Sequence, residues 1–290
     1  MLSAESTNCG SKDTLETDAT YLPSPPAKAL FRRIQEKIDE VKGRKIRRAV
    51  YGESIGVLLL DSDFPRIPGD IGNATTYPFP VRFKVVKGIY GKDIVCEKPD
   101  ISVCQRFIEQ AKELEVEGVR AITTSCGYFA YFQDEIADAM NIPVFTSSLI
   151  QVPMVAKMLG KKKEVGIICA NSKALTRTHL RNAGIDDSIP IAIAGFERHW
   201  KAVDRWDPKK IVQGFAPKRR LKGFENALSR VSKDLISRHP EVGALVFECT
   251  NFPPGAAAVQ ESTGLPVFDI ITLLYMIHNV VVRKRYDGYM

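Results

Sequence analysis

The first long apolar run, Ile55-Gly56-Val57-Leu58-Leu59-Leu60, is bounded by Ser54 and Asp61. A short run with polar stops and no alternation suits a strand buried on both faces of a parallel sheet. A second strand is expected near Arg82 to Val86, and Val119 to Cys126 reads as a third. Between them, residues 102–117 place Val103, Phe107, Ala111 and Leu114 at helical spacing, and Gly118 supplies a stop. Strand, helix and strand in this order predict an α/β fold.

The order then repeats. Cys126 and Cys249 lie 123 residues apart, and the same shift sets Val119 on Val242, Ala121 on Ala244 and Ile142-Pro143-Val144-Phe145 on Leu265-Pro266-Val267-Phe268. No gap is needed. Upstream, Ile55-Gly56-Val57 resembles Val165-Gly166-Ile167, and Phe224, Leu228, Val231 and Leu235 give residues 223–238 a helical face. The expectation is two pseudo-symmetric lobes, 54–160 and 161–290, each a mainly parallel sheet flanked by helices, with a cleft between them and the C-terminal helix packing on the first. Residues 1–26 read as a disordered tail, and 27–53 carry an amphipathic helix with Leu30, Ile34, Ile38 and Val41 on one face. That face is expected to pack or to make a homo-oligomer contact.

Composition narrows the function classes. The 290 residues are 44% hydrophobic and 26% charged, an ordinary globular balance. The net charge of +7 is spread over separate clusters such as Arg44 to Arg48 and Lys161 to Lys163, without the aromatic interleaving or motif of a nucleic-acid binder. No apolar run approaches the roughly 20 residues of a membrane span, and the acidic N-terminus lacks a signal pattern. A cytoplasmic enzyme with neither membrane nor nucleic-acid partner is expected. The six cysteines include no CxxC pair, the four histidines show no ligand spacing, and neither GxGxxG nor a P-loop occurs. No metal and no cofactor are expected.

Cys126 and Cys249 each end an apolar run and pass into small or polar residues, where a side chain leaves the core to meet a ligand. A free thiol has a pKa of about 8.5, so donors must favour the thiolate. Gly127 and Thr250, each following its cysteine at the start of an expected helix, are read as presenting amides to the thiolate and to a substrate carboxylate. A thiolate and a thiol on opposite faces of a carbon acid can remove and return an α-proton. Cys169 reads as core, and Asn171-Ser172 as the cap of a helix beginning near Lys173.

This two-cysteine layout, and especially Cys249-Thr250-Asn251-Phe252-Pro253, resembles the cofactor-independent aspartate/glutamate racemase superfamily, whose glutamate racemases carry Cys-Thr-His-Tyr-Pro at the second cysteine. The resemblance covers roughly residues 54–282. It implies that Cys126 and Cys249 are the acid/base pair, that Thr250 helps bind a carboxylate, and that Asp61-Ser62 matches the Asp-Ser ending the first strand of glutamate racemases. Asn251 replaces a histidine of that motif, and Gly127-Tyr128 replaces its Asn-Thr. These departures point away from glutamate and open the wider superfamily: hydantoin racemases, arylmalonate decarboxylases, maleate isomerases and algal dimethylsulfoniopropionate lyases.

The leading expectation is a racemase or epimerase of an amino acid or related small-molecule carboxylate. A lyase on the same scaffold, abstracting an α-proton and eliminating from the β-carbon, is the alternative, and a noncatalytic binder the third. The loop Pro65 to Asp70 and the Tyr77-Pro78-Phe79-Pro80 segment look more like the long loop of the lyase branch. Arg66 would meet the distal end of a dicarboxylate, whereas Asp70, Tyr77 or Tyr128 would suit a cationic sulfonium. The plainer reading pairs Arg66 with Asp70 at the surface. Candidate substrate-binding residues are thus Asp61, Arg66, Gly127, Tyr128, Thr250 and Asn251.

Overall fold

The computed structural model describes residues 50–64, 66–199, 218–286 and 288. The tail expected over 1–26, and residues 27–49 of the expected N-terminal helix, lie outside the described residues.

The apolar runs form two four-stranded sheets. In the first, β1 (Ile55–Leu60), β2 (Val81–Val86), β3 (Ala121–Thr124) and β4 (Val144–Phe145) are ordered β2-β1-β3-β4. In the second, β5 (Glu164–Cys169), β6 (Ile191–Gly195), β7 (Val242–Phe247) and β8 (Val267–Phe268) are ordered β6-β5-β7-β8. Every pairing is parallel. The central strands β1, β3 and β7 are buried apart from half-buried Leu59 in β1 and Gly243 in β7, as unalternated runs require. Edge strand β2 carries Arg82 and Lys84, which pair with Glu53, Glu113 and Glu117 and keep that edge charged.

The repeat holds at the level of individual pairs. Ile122 lies beside Val144 and Thr123 beside Phe145; 123 residues later, Leu245 lies beside Val267 and Val246 beside Phe268. Gly56 and Gly166 occupy matching places in β1 and β5. A Cβ on Gly56 would approach Leu114 to 2.9 Å, and one on Gly166 would approach Leu245 to 2.7 Å. Both glycines therefore let neighbouring side chains close onto the strand. The helix expected over 102–117 spans Ile101–Glu117 and stops at Gly118, whose φ of 83° is left-handed. Its counterpart spans Lys218–Arg238.

The helices after β4 and β8 cross between the sheets. Val152–Leu159 packs on β5 and β7. Ile270–Val281 returns the exchange, setting Ile270, Leu273 and Leu274 into one cluster with Ile55, Val57, Ala121 and Phe145. Each sheet thus has a helix from the other half against it, which joins the halves through apolar burial. The helix expected near Lys173 begins instead at Arg177, with Thr176 and His179 forming its capping box. Asn171 caps only a local turn, accepting the Lys173 amide at 3.1 Å. Among the described residues no helix is long and apolar enough to cross a membrane.

Candidate active site

Cys126 follows β3 and Cys249 follows β7, and each opens a tight turn. Phe129 donates to the Cys126 carbonyl and Phe252 to the Cys249 carbonyl, both at 3.1 Å. Both side chains are buried, at 9% and 8% exposure, just short of complete enclosure. The two thiols lie close enough that ionisation of Cys126 opposes that of Cys249. The residues related by the 123-residue shift thus lie within electrostatic reach of each other.

The electrostatics differ from the expected ready thiolate. Burial, then the charge of Glu248, pushes the Cys126 thiol up; the Tyr128 amide and Arg66 pull it down by less. Burial and Glu248 also push Cys249 well up, helped by Cys126 and Asp70 and opposed by the Asn251 amide. The amides that reach the sulfurs therefore belong to Tyr128 and Asn251, one residue beyond Gly127 and Thr250. Both shifts favour the protonated thiol over the thiolate.

The loop after β1 reaches the turn that follows Cys249. Gly69 packs on Pro254 of the second half. Arg66 Nη1 donates to Asp70 Oδ1 at 3.0 Å and to Asn251 Oδ1 at 2.8 Å, and Nη2 reaches Ser62 Oγ at 3.3 Å. Asp70 is 1% exposed; Oδ1 also accepts the Gly72 amide at 2.8 Å, while Oδ2 has no hydrogen-bond partner among the described residues. Burial raises its pKa despite Arg66. The Arg66–Asp70 pair expected at the surface exists, but its acid is buried and its guanidinium is shared with the residue two after Cys249.

Thr250 and Tyr128 serve the junction between halves. Thr250 Oγ1 donates to the Ser125 carbonyl at 2.6 Å. The Tyr128 hydroxyl, fully buried, donates to the Asn171 carbonyl at 2.6 Å and accepts the Asn171 amide at 3.0 Å. Tyr77 is likewise engaged, donating to the Ile71 carbonyl at 2.7 Å. Asp61 does not join this group. It faces the end of β2, where it accepts the Gly88 amide at 2.9 Å and pairs with Lys87 at 3.3 Å. Those bonds hold its carboxyl below the usual range, as expected of an ordinary ionised cap.

Glu248 was missed by sequence reasoning. It is fully buried, one residue before Cys249, and takes the place that Ser125 holds in the first half. Ser125 Oγ accepts the Leu60 amide at 2.9 Å, and Glu248 Oε2 accepts the Ala170 amide at 3.0 Å, so the backbone role is the same. Glu248 Oε1 has no hydrogen-bond partner among the described residues. Burial raises the carboxyl to about 8. The available signal was an acid directly after the apolar run Val242 to Phe247, where a buried strand ends. Gly127 touches this carboxylate: a Cβ added there would overlap both the carbonyl oxygen and Oε1 of Glu248.

This arrangement suits chemistry on a small carbon acid. Two thiols can exchange protons with it, an arginine fork stands beside them, and amides point at the sulfurs.

The chain is 30% identical over 244 residues to dimethylsulfoniopropionate lyase of Durusdinium sp. clade D, a match covering 80% of this chain and 77% of that protein. It is 32% identical over 234 residues to dimethylsulfoniopropionate lyase 3 of Emiliania huxleyi (strain CCMP1516), covering 76% of this chain and 57% of that longer protein. Among solved structures, a mutant arylmalonate decarboxylase in its sulfate-ion-associated form superposes with a TM-score of 0.50 at 13% identity, covering 78% of this chain and 92% of that one. No family model matches. The fold is thus shared with that decarboxylase, one of the enzyme classes that the resemblance around the cysteines had opened.

Proposed function

This chain belongs to the dimethylsulfoniopropionate lyase family, and from that premise we propose that it is a lyase that splits dimethylsulfoniopropionate, or a closely related sulfonium carboxylate, into a sulfide and an unsaturated acid. The observation that carries this reading is the convergence of two buried thiols in a chain 30% identical to a lyase of that name. One cysteine, as thiolate, removes the proton α to the carboxylate. The β-carbon–sulfur bond breaks with its electron pair leaving on the neutral sulfide. A carbon–carbon double bond forms between the α and β positions.

The remaining groups have roles that follow from charge. The Arg66 fork receives the substrate carboxylate and draws electron density from the α-carbon as the proton leaves. The Tyr128 and Asn251 amides, already directed at the sulfurs, steady the thiolate. The unpartnered Oδ2 of Asp70 offers negative charge to the sulfonium end. No cofactor is needed for a step whose only movements are one proton and one leaving group.

The equivalence of the two thiols favours a second reading, racemisation or epimerisation of an amino acid or related carboxylate, in which the opposite cysteine returns a proton. One experiment separates the two. The purified protein is incubated with dimethylsulfoniopropionate in heavy water, and separately with a panel of chiral carboxylates; headspace sulfide, α-deuterium and optical rotation are followed. Stoichiometric dimethyl sulfide supports the lyase. Optical inversion with α-deuterium and no mass loss replaces it with the racemase, and binding without either reaction leaves a noncatalytic protein.

A further inference from the structure

The mechanism leaves one buried titratable group unused. Glu248 is fully buried, with Oε2 tied to the Ala170 amide at 3.0 Å and Oε1 unpartnered. A buried carboxylate oxygen without a donor carries a full desolvation cost unless something in the functional cycle occupies it. The groups it acts on come from the ends of β3, β5 and β7. Its charge acts on Cys126 after β3, Tyr128 in the following turn, Cys169 at the end of β5, and Cys249 next to it in the chain. All four are weak acids, and burial and the Ala170 amide are what set its own ionisation. Gly127 holds the turn of Cys126 flush against it, since even a methyl group would overlap Oε1.

We propose that Glu248 accepts the thiol proton inside the site, so that the thiolate is made and remade without changing the net charge of the pocket. Sending a proton directly from a buried thiol to water would leave an additional charge in a poorly solvated place. Transfer to Glu248 breaks one S–H bond, forms one O–H bond at Oε1 and keeps a single negative charge in the site. The carboxyl, pushed up to about 8 by burial, is ionised in part near neutral pH, and that ionised form is basic enough to hold the proton it accepts.

The cycle balances. The thiolate takes the α-proton and becomes a thiol again as the sulfide leaves. Glu248 then releases its proton to water when the products depart, and one proton per turnover appears in solution. An elimination needs such an exit, because the abstracted proton is never returned to carbon. Glu248 acts through the thiols and not on the substrate.

This inference rests on the lyase reading for its turnover test and on the thiols alone for a second test. In Glu248→Gln, the amide oxygen still accepts from Ala170 but cannot take a proton. With dimethylsulfoniopropionate, kcat near pH 7 is expected to fall at least about 10-fold with KM changed less than about 2-fold. Glu248→Asp, which keeps the acid, recovers part of the loss. The second measurement is alkylation of Cys126 and Cys249 by iodoacetamide against pH, read by mass spectrometry without substrate. The wild-type profile is expected to rise in two steps, because thiol and carboxyl share their titration, and the Gln variant in one. Equal kcat in both proteins, or the same single step in both alkylation profiles, overturns the proposal. If wild type releases no sulfide, the lyase reading has failed and the alkylation profiles alone decide about Glu248.

Discussion

Gly127→Ala tests how tightly the two halves are locked at the cysteines. The φ of Gly127 is not among the left-handed ones, so alanine is allowed by the backbone, and in open space the change would stabilise by about 0.4–1 kcal/mol through the unfolded chain. The surroundings reverse the sign. The new methyl would overlap the Glu248 carbonyl oxygen and Oε1; the first is main chain at the end of β7 and cannot swing aside. Relief requires the Cys126 turn and the end of β7 to separate. Overpacking of this kind costs about 1–3 kcal/mol, so a net loss of roughly 1–2 kcal/mol is expected once the unfolded-chain gain is subtracted. For a chain of this size that corresponds to a drop in Tm of roughly 2–8 °C.

The same displacement moves one sulfur relative to the other, and a shift of about 1 Å at a reacting group costs on the order of 100-fold in rate. Gly223→Ala is the control. That glycine lies within the Lys218–Arg238 helix with nothing near its missing Cβ, so it should stabilise by roughly 0.5–1 kcal/mol and leave turnover unchanged. Both variants are measured by thermal melting and by sulfide release. A Gly127→Ala protein as stable and as active as wild type would refute the close approach of Cys126 to Glu248.

Two further predictions concern the ionisable groups. Cys126→Ser and Cys249→Ser should each reduce turnover by at least about 100-fold, since a hydroxyl is a far weaker proton acceptor at neutral pH, with Tm within a few degrees of wild type; sulfide release and melting curves check this, and full activity in either variant excludes a two-thiol mechanism. Stability should also depend on pH. The folded Glu248 carboxyl is raised from 4.5 to about 8 and Asp269 from 3.8 to about 6, both chiefly by burial. Their contribution is complete below the unfolded values and is lost as pH rises through about 6 and then about 8. Wild-type Tm should therefore fall from about pH 5 to about pH 8.5, and Glu248→Gln should flatten the upper part of the fall; melting across that range is the check.

Much of the fold was legible because its signals are local. The unalternated runs of β1, β3, β5 and β7, the helical spacing before each cysteine and the glycine stop at Gly118 depend on neighbours within one element. The repeat made two such readings comparable, and the matched registers of β3–β4 and β7–β8 show that the shift relates structurally equivalent residues. The cysteines were legible for the same reason: strand ends are local, and equivalent strands end together. The place of Asp61 at a strand end is local, but the direction of its carboxylate is not, being set by Gly88 and Lys87 at the end of β2.

By itself, the sequence determined the strand–helix grammar, the duplication and the two thiol positions, all consequences of short-range periodicity and of one repeated pattern. Tertiary structure alone decided the rest. Arg66 meets Asn251 across 185 residues, Thr250 meets Ser125 across 125, and the final helix packs on the opposite sheet. The ionisation of the site belongs to the same class, since Glu248 is an ordinary acid in the chain and becomes a weak one only when packing removes its water and places it among the thiols. Pattern fixes which residues are apolar and where an element ends; desolvation and charge depend on what arrives from elsewhere in the chain.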